Sequence, residues 1–154
     1  MYTTLVVLTL IQAVGPSGHQ AVTERGAHVM GFDQDNTVHR FRLHADGGAV
    51  DIAVRARADV ANRDAIRSHL PHIAMLFADG NFEAPMLIHD SKVPGTETMA
   101  ALKSLIRFVY VETLEGGRLD IFTTDPAALQ AVHDFMRFQI ADHKTGDPVT
   151  ITKR

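Results

Sequence analysis

Between residues 38 and 44 apolar and polar positions alternate, with His39, Phe41 and Leu43 on one side and Arg40, Arg42 and His44 on the other. That is the period of a half-buried strand, and it turns His39 toward the side the apolar residues take. Asp46-Gly47-Gly48 follows as a hairpin turn in which glycine supplies positive φ, and Val50, Ile52 and Val54 resume the inward face. The whole unit has an echo. Val38-His39-Arg40-Phe41-Arg42-Leu43, Asp46-Gly47-Gly48 and Val50-Asp51-Ile52 correspond to Ile106-Arg107-Phe108-Val109-Tyr110-Val111, Glu115-Gly116-Gly117 and Leu119-Asp120-Ile121. Each hairpin is followed by helical spacing. Over residues 63–79 the apolar line is Ile66, Leu70, Ile73 and Phe77, with Asp59 or Asn62 as cap and Pro71 as an interruption that should kink the helix. Over residues 126–143 it is Leu129, Val132, Met136 and Ile140, opened by the capping carboxylate and first-turn proline of Asp125-Pro126. The pattern predicts an α+β fold: an antiparallel sheet of four or five strands from two strand-strand-helix repeats, residues 38–80 and 106–146, with both helices packed on one face.

Elsewhere the signals are shorter. Met86-Leu87-Ile88 reads as a brief strand ended by His89-Asp90, residues 97–104 as a short helix, and residues 149–154 as a tail or short edge strand. Phe138 falls opposite the main stripe of its helix, which predicts a second packing layer there. Residues 1–14 carry no charge and include Leu5-Val6-Val7-Leu8-Thr9-Leu10-Ile11, the apolar core of a secretory signal but too short for a spanning helix. Residues 1–15 are thus read as a signal peptide or an apolar N-terminal segment, 16–37 as an extended arm, and 38–148 as one domain. A periplasmic or secreted location is expected, with the cytoplasm as the alternative.

Composition narrows the chemistry. A net charge of -3 and a pI near 6.3 offer no basic face for nucleic acid, and the chain of 154 residues is sized for one core. With no cysteine and nine histidines, any metal site must rest on imidazole, carboxylate, thioether or backbone oxygen. His69 and His72 are three apart on a helix and so share a flank, and His39 from the strand or His133 from the second helix is positioned to join them. These four are the candidate ligands for copper, zinc or haem, with Met86 and His89 secondary. His133 and His143, ten apart, stand about 15 Å from each other along an ideal helix and cannot hold one ion together. No Gly-x-Ser-x-Gly elbow, phosphate loop or His-Glu-x-x-His motif is present, which leaves His89 with Asp90 as the candidate acid-base pair.

His69-Leu70-Pro71-His72-Ile73, Phe77-Ala78-Asp79-Gly80-Asn81-Phe82, Ala84-Pro85-Met86-Leu87-Ile88-His89-Asp90, Val93-Pro94-Gly95, Ala131-Val132-His133-Asp134-Phe135 and His143-Lys144-Thr145-Gly146-Asp147-Pro148 together carry a family resemblance. The chain resembles, from about residue 26 to 148, a family of small, usually exported bacterial proteins of unknown function often labelled aspartate carbamoyltransferase. The resemblance implies export and a common fold. It transfers no catalytic residue, because that activity needs two α/β domains and a Ser-Thr-Arg-Thr-like loop that this chain lacks.

The expectation from sequence is an exported binding protein that ligates a transition metal or haem through His39, His69, His72 and His133. Two alternatives stay open. One is a small hydrolase or transferase working through His89 and Asp90. The other is a module that holds a small ligand in the cleft between sheet and helices, or that forms a homodimer through its sheet.

Overall fold

In the computed structural model of the chain, described over residue 26 and residues 29–154, two hairpins carry the fold. Strands β1 (Thr37–His44) and β2 (Gly47–Val54) pair antiparallel, as do β3 (Ile106–Thr113) and β4 (Gly116–Thr123). β2 and β4 then pair antiparallel with each other, Val50 opposite Leu119. A two-residue β5 (Ile151–Thr152) runs parallel to the far end of β1, which completes a five-stranded sheet in the order β3-β4-β2-β1-β5. After β2 come the helices α1 (Val60–Ala78), α2 (Glu83–His89), α3 (Thr96–Ala101) and α4 (Pro126–Asp142), and a 3₁₀ turn (Lys103–Leu105) that leads into β3. The class is α+β, as the alternation of the two periods implies. Among the described residues no helix is long and apolar enough to cross a membrane.

The bends fall at Ala45-Asp46 and Leu114-Glu115, so both Gly-Gly pairs lie inside strands and not in the turns. The reason is space. A Cβ on Gly47 would stand 2.0 Å from the Ile121 carbonyl oxygen, and one on Gly116 would stand 2.2 Å from that of Ile52. Their absence lets β2 and β4 close up. Beside them, a Cβ on Gly48 would meet Met136 of α4, and one on Gly117 would meet Leu70 of α1. Gly48 lies opposite Ile121 and Gly117 opposite Ile52, and directly opposed residues point to the same side of a sheet. Both long helices therefore cover the face that carries Val50, Ile52, Leu119 and Ile121.

α1 starts at Asp59, whose carboxylate accepts from the Asn62 amide, and runs through Pro71 to bury Ile66, Leu70, Ile73 and Phe77. α4 starts at Asp125, which accepts from the amides of Ala127 and Ala128. Its buried stripe keeps Val132, Met136 and Ile140 but puts Ala128 where the pattern had Leu129, which is half-buried.

Residues 86–88 form no strand. Asn81 accepts from the Glu83 amide and opens α2, which buries Pro85, Ile88 and His89 while Met86 and Leu87 face solvent. Burial at one, four and five is a helical division that a two-residue period cannot make. α2, α3 and the 3₁₀ turn intervene between α1 and β3, with nothing of the kind after α4.

The apolar segment 1–15 lies outside the described residues, as do residues 16–25, 27 and 28 of the arm. The described part of that arm is folded into the domain: Met30 and Phe32 belong to the core, and the Thr37 hydroxyl donates to the Asp33 carbonyl just before β1.

Candidate functional site

Under the sheet, between it and α1, α2 and α4, lies a cavity of about 80 Å³. Its walls are apolar, with Ile52 and Leu119 from the sheet, Ile73 and Phe77 from α1, Ile88 from α2 and Phe135 from α4. Its rim is not. His39, His69, His89 and His143 all line it, together with Gln139 and Met30. Each arrives for a local reason. The alternation that buries Phe41 and Leu43 turns His39 the same way, and His69 sits beside Leu70 at the margin of the α1 stripe. His89 is the last residue of α2, which Asp90 ends in the left-handed conformation at φ 49°, and His143 caps the C-terminus of α4.

The rings are packed as a ladder. Phe32, His39, His143, His89 and Phe138 follow one another at centroid separations of 6.0, 5.3, 5.0 and 5.1 Å. His39 and His143 are nearly parallel, at 14°, whereas His143 and His89 are perpendicular. Phe32 also meets His69 edge-on at 5.8 Å, so one phenyl ring packs against both His39 and His69. Burial, reinforced by the nearby His69, pushes His39 down to about 4, and burial with help from His72 pushes His69 down to about 4. Both rings are neutral at pH 7. The Nε2 of His39 is buried and has no hydrogen-bond partner among the described residues.

His89 is anchored at both nitrogens. Its Nδ1 lies 2.6 Å from Asp142 Oδ2 and its Nε2 lies 3.0 Å from Gln139 Oε1, while Gln139 Nε2 is buried without a partner among the described residues. With a proton on each nitrogen, His89 donates to both oxygens. With Nε2 unprotonated, the Gln139 amide turned over would donate to it and leave its own oxygen unpaired. In either orientation one end of the amide has no partner among the described residues. A carboxylate-oriented imidazole is the material of acid-base chemistry, but this one must release Gln139 before Nε2 can take a proton from anything else.

The cavity gathers His39, His69 and His89 of the residues expected from sequence. His72 is exposed on α1, and Met86 is exposed on α2. His133 is buried elsewhere: its Nε2 donates to the carbonyls of His44 (2.9 Å) and Gly47 (3.2 Å), which flank the first hairpin turn. The partner of His89 is Asp142, and Asp90 is exposed. Among the described residues no three His, Asp or Glu side chains stand where they could share a metal ion. Sequence reasoning missed Gln139, Asp142 and His143. Their spacing of three and four along one helix was a legible signal that they share a flank.

His39 and His143 also line a polar groove of about 360 Å³, shared with Asp35, Arg40, Arg55 and Lys144. The two rings thus border both the apolar cavity and an open, charged one. Compared with family models, with curated proteins and with solved structures, the chain matches none.

Proposed function

We propose that this protein binds a small molecule in the cavity between sheet and helices, packed against the rings of His39, His69, His89 and His143. One observation carries the reading: four histidines converge on a cavity whose other lining residues, Gln139 apart, are apolar. Desolvating imidazoles beside an apolar space costs stability that aliphatic side chains would not cost, and such a cost is the usual mark of a functional site. The polar groove beyond His39 and His143 gives a route in from solvent. Export to the periplasm or beyond belongs to the proposal and rests on the apolar run of residues 5–11 and the family resemblance.

A second reading keeps the expected ion. His39, His69, His89 and His143 line the cavity with the Met30 thioether, a donor set suited to copper or zinc once the rings turn toward a common point. A haem is disfavoured, since about 80 Å³ is far below the roughly 300 Å³ at which pockets for drug-sized ligands begin.

The test is methyl-detected NMR on Ile52, Ile88 and Leu119 while xenon and small organic probes are added, with elemental analysis and absorption spectra after copper, zinc and haem are offered. Saturable probe shifts that vanish in Ala84→Leu, which fills the cavity, are expected. Stoichiometric metal uptake lost in His39→Ala and His69→Ala would replace the first reading with the second.

A further inference from the structure

We propose that the free edge of β3 pairs with the β3 edge of a second copy of this chain, antiparallel and with Val109 on the two-fold axis, so that two five-stranded sheets join into one. The inference is independent of what fills the cavity.

The sheet treats its two edges differently. At one end β1 is closed off, because β5 pairs with Leu43 and His44 and the Asp147 carboxylate accepts from the Phe41 amide. At the other end β3 has only β4 beside it among the described residues. The register shows which of its backbone groups are free. The Thr123 amide donates to the Asp46 carbonyl and the Glu115 carbonyl accepts from the Val54 amide, so odd-numbered residues of β4 face β2 and even-numbered ones face β3. Gly116, Arg118, Asp120 and Phe122 stand opposite Thr113, Val111, Val109 and Arg107, which leaves Phe108, Tyr110 and Glu112 with N–H and C=O turned outward. None of these groups has a partner among the described residues. Ile106 turns its amide back to the Lys103 carbonyl and offers only its own carbonyl.

An unpaired run of this kind is a template for another strand, and monomeric proteins blunt it with proline, a bulge or charges over the edge. β3 has no proline, and its register with β4 is unbroken from Ile106 to Thr113. Its two charges near the middle are held by their own chain. Arg107 lies 4.2 Å from the Phe122 ring centroid on β4, and Glu112 lies 3.2 Å from Arg67 of α1.

Self-complementarity selects a second copy as the occupant. Pairing about Val109 sets Phe108 against Tyr110 of the second copy, both half-buried in the single chain, and lets the two exchange N–H and C=O. It keeps Arg107 opposite Val111. A centre at Phe108 would bring the two Arg107 side chains onto diagonal positions, and a centre at Tyr110 would set Phe108 against Glu112. The flanks agree. Leu105 and Leu114 border β3 at 50% and 85% exposure, and antiparallel pairing carries Leu114 of each copy to the Leu105 end of the other.

The test exploits a chain without cysteine. Directly opposed residues outside the hydrogen-bonded pairs stand about 4.5 Å apart at Cα, within reach of a disulfide. Under mild oxidant Val109→Cys is expected to cross-link to itself, and an equal mixture of Arg107→Cys and Val111→Cys to form a mixed dimer. Val111→Cys alone, and Met75→Cys at an exposed place on α1, should stay monomeric. In sedimentation the wild type should rise with concentration toward twice 16.9 kDa. Val109→Lys, which opposes two ammonium groups, should weaken the dimer about tenfold, and mixing it with Val109→Glu should restore association. Unchanged thermal midpoints show that the variants fold, and the cysteine series decides the matter if the charged ones do not. A wild type that stays monomeric at the highest attainable concentration would overturn the proposal. So would equal cross-linking of all the cysteine variants, or a dimer that Val109→Lys leaves intact, since either places the contact elsewhere.

Discussion

His39 concentrates the cost of the site. Its folded pKa of about 4 lies below the ordinary 6.5, so between those values the unfolded chain binds the proton more tightly and acid favours unfolding. The stabilising term is whole above pH 6.5 and drains away as the pH falls toward 4. Integrated from pH 7 to pH 5 it amounts to about 2 kcal/mol for this ring alone. His69 acts in the same direction with a share reduced by its partial exposure. Asp51, raised by burial against the pull of Arg42, acts in the opposite one. Urea denaturation at pH 7 and pH 5 should therefore show a clear acid loss, and His39→Phe should flatten it. Parallel profiles for variant and wild type would remove His39 as the source. The anchor of His89 is a second test at this scale. Its side chain is 1% exposed and that of Asp142 is 36% exposed, so Asp142→Asn replaces a charge-assisted bond at the surface end of a buried ring. A loss of about 1–2 kcal/mol in chemical denaturation is expected. A change under about 0.5 kcal/mol would class the pair with ordinary surface contacts.

At the level of elements, the sequence was most legible where structure is local. The alternation in β1 places His39 with Phe41 and Leu43, and the Asp59 and Asp125 caps start α1 and α4, because each depends on neighbours within a few positions. The Gly-Gly pairs were misplaced into turns since their role is tertiary: they give room to a neighbouring strand and to helix side chains that no local pattern reveals. Gly47→Ala tests that account. With φ at +142° and a carbonyl oxygen 2.0 Å from the new Cβ, the variant must part β2 from β4 and should lose at least about 3 kcal/mol. A thermal midpoint within a few degrees of wild type would mean that the sheet yields at that point. The run at 86–88 was misread because three apolar residues fit either period, and the Asn81 turn that decides for helix lies five residues upstream. The site was half legible for the same reason. Strand and helix patterns put His39 and His69 on inward flanks, but they put His133 there as well, and only the packing of β1 against α4 gives its ring to the first hairpin turn. Asp142 and His143 needed α2 laid across the end of α4, a contact between residues 53 apart in the chain for the His89 pair.

As a whole the molecule divides its two sheet faces between separate tasks. The helices and the cavity occupy one, and the other carries, among the described residues, a lattice of Arg42 with Asp51 (2.6 Å) and Arg118 with Asp120 (3.0 Å). Arg154 closes it. Its guanidinium lies 2.6 Å from Asp120 and 3.0 Å from Asp46, donates to the Gly48 and Ile121 carbonyls, and stacks 4.2 Å from the Phe122 ring centroid, with Arg107 also 4.2 Å from that centroid. One residue therefore ties β2, β4 and the first turn together from outside. Asp120 is only 5% exposed, and without Arg154 it would keep Arg118 alone. Partly unpairing a buried carboxylate in this way should cost Arg154→Ala about 1–3 kcal/mol, read as a lower urea midpoint. The difference from wild type should shrink in 1 M salt, because the exposed part of the lattice is screened. An unchanged midpoint at low salt would reduce the lattice to a solvated surface. Probe binding in the cavity should be untouched by the same substitution, since well-separated sites act additively. Coupled loss of both would show that the outer face holds the inner one in its binding shape.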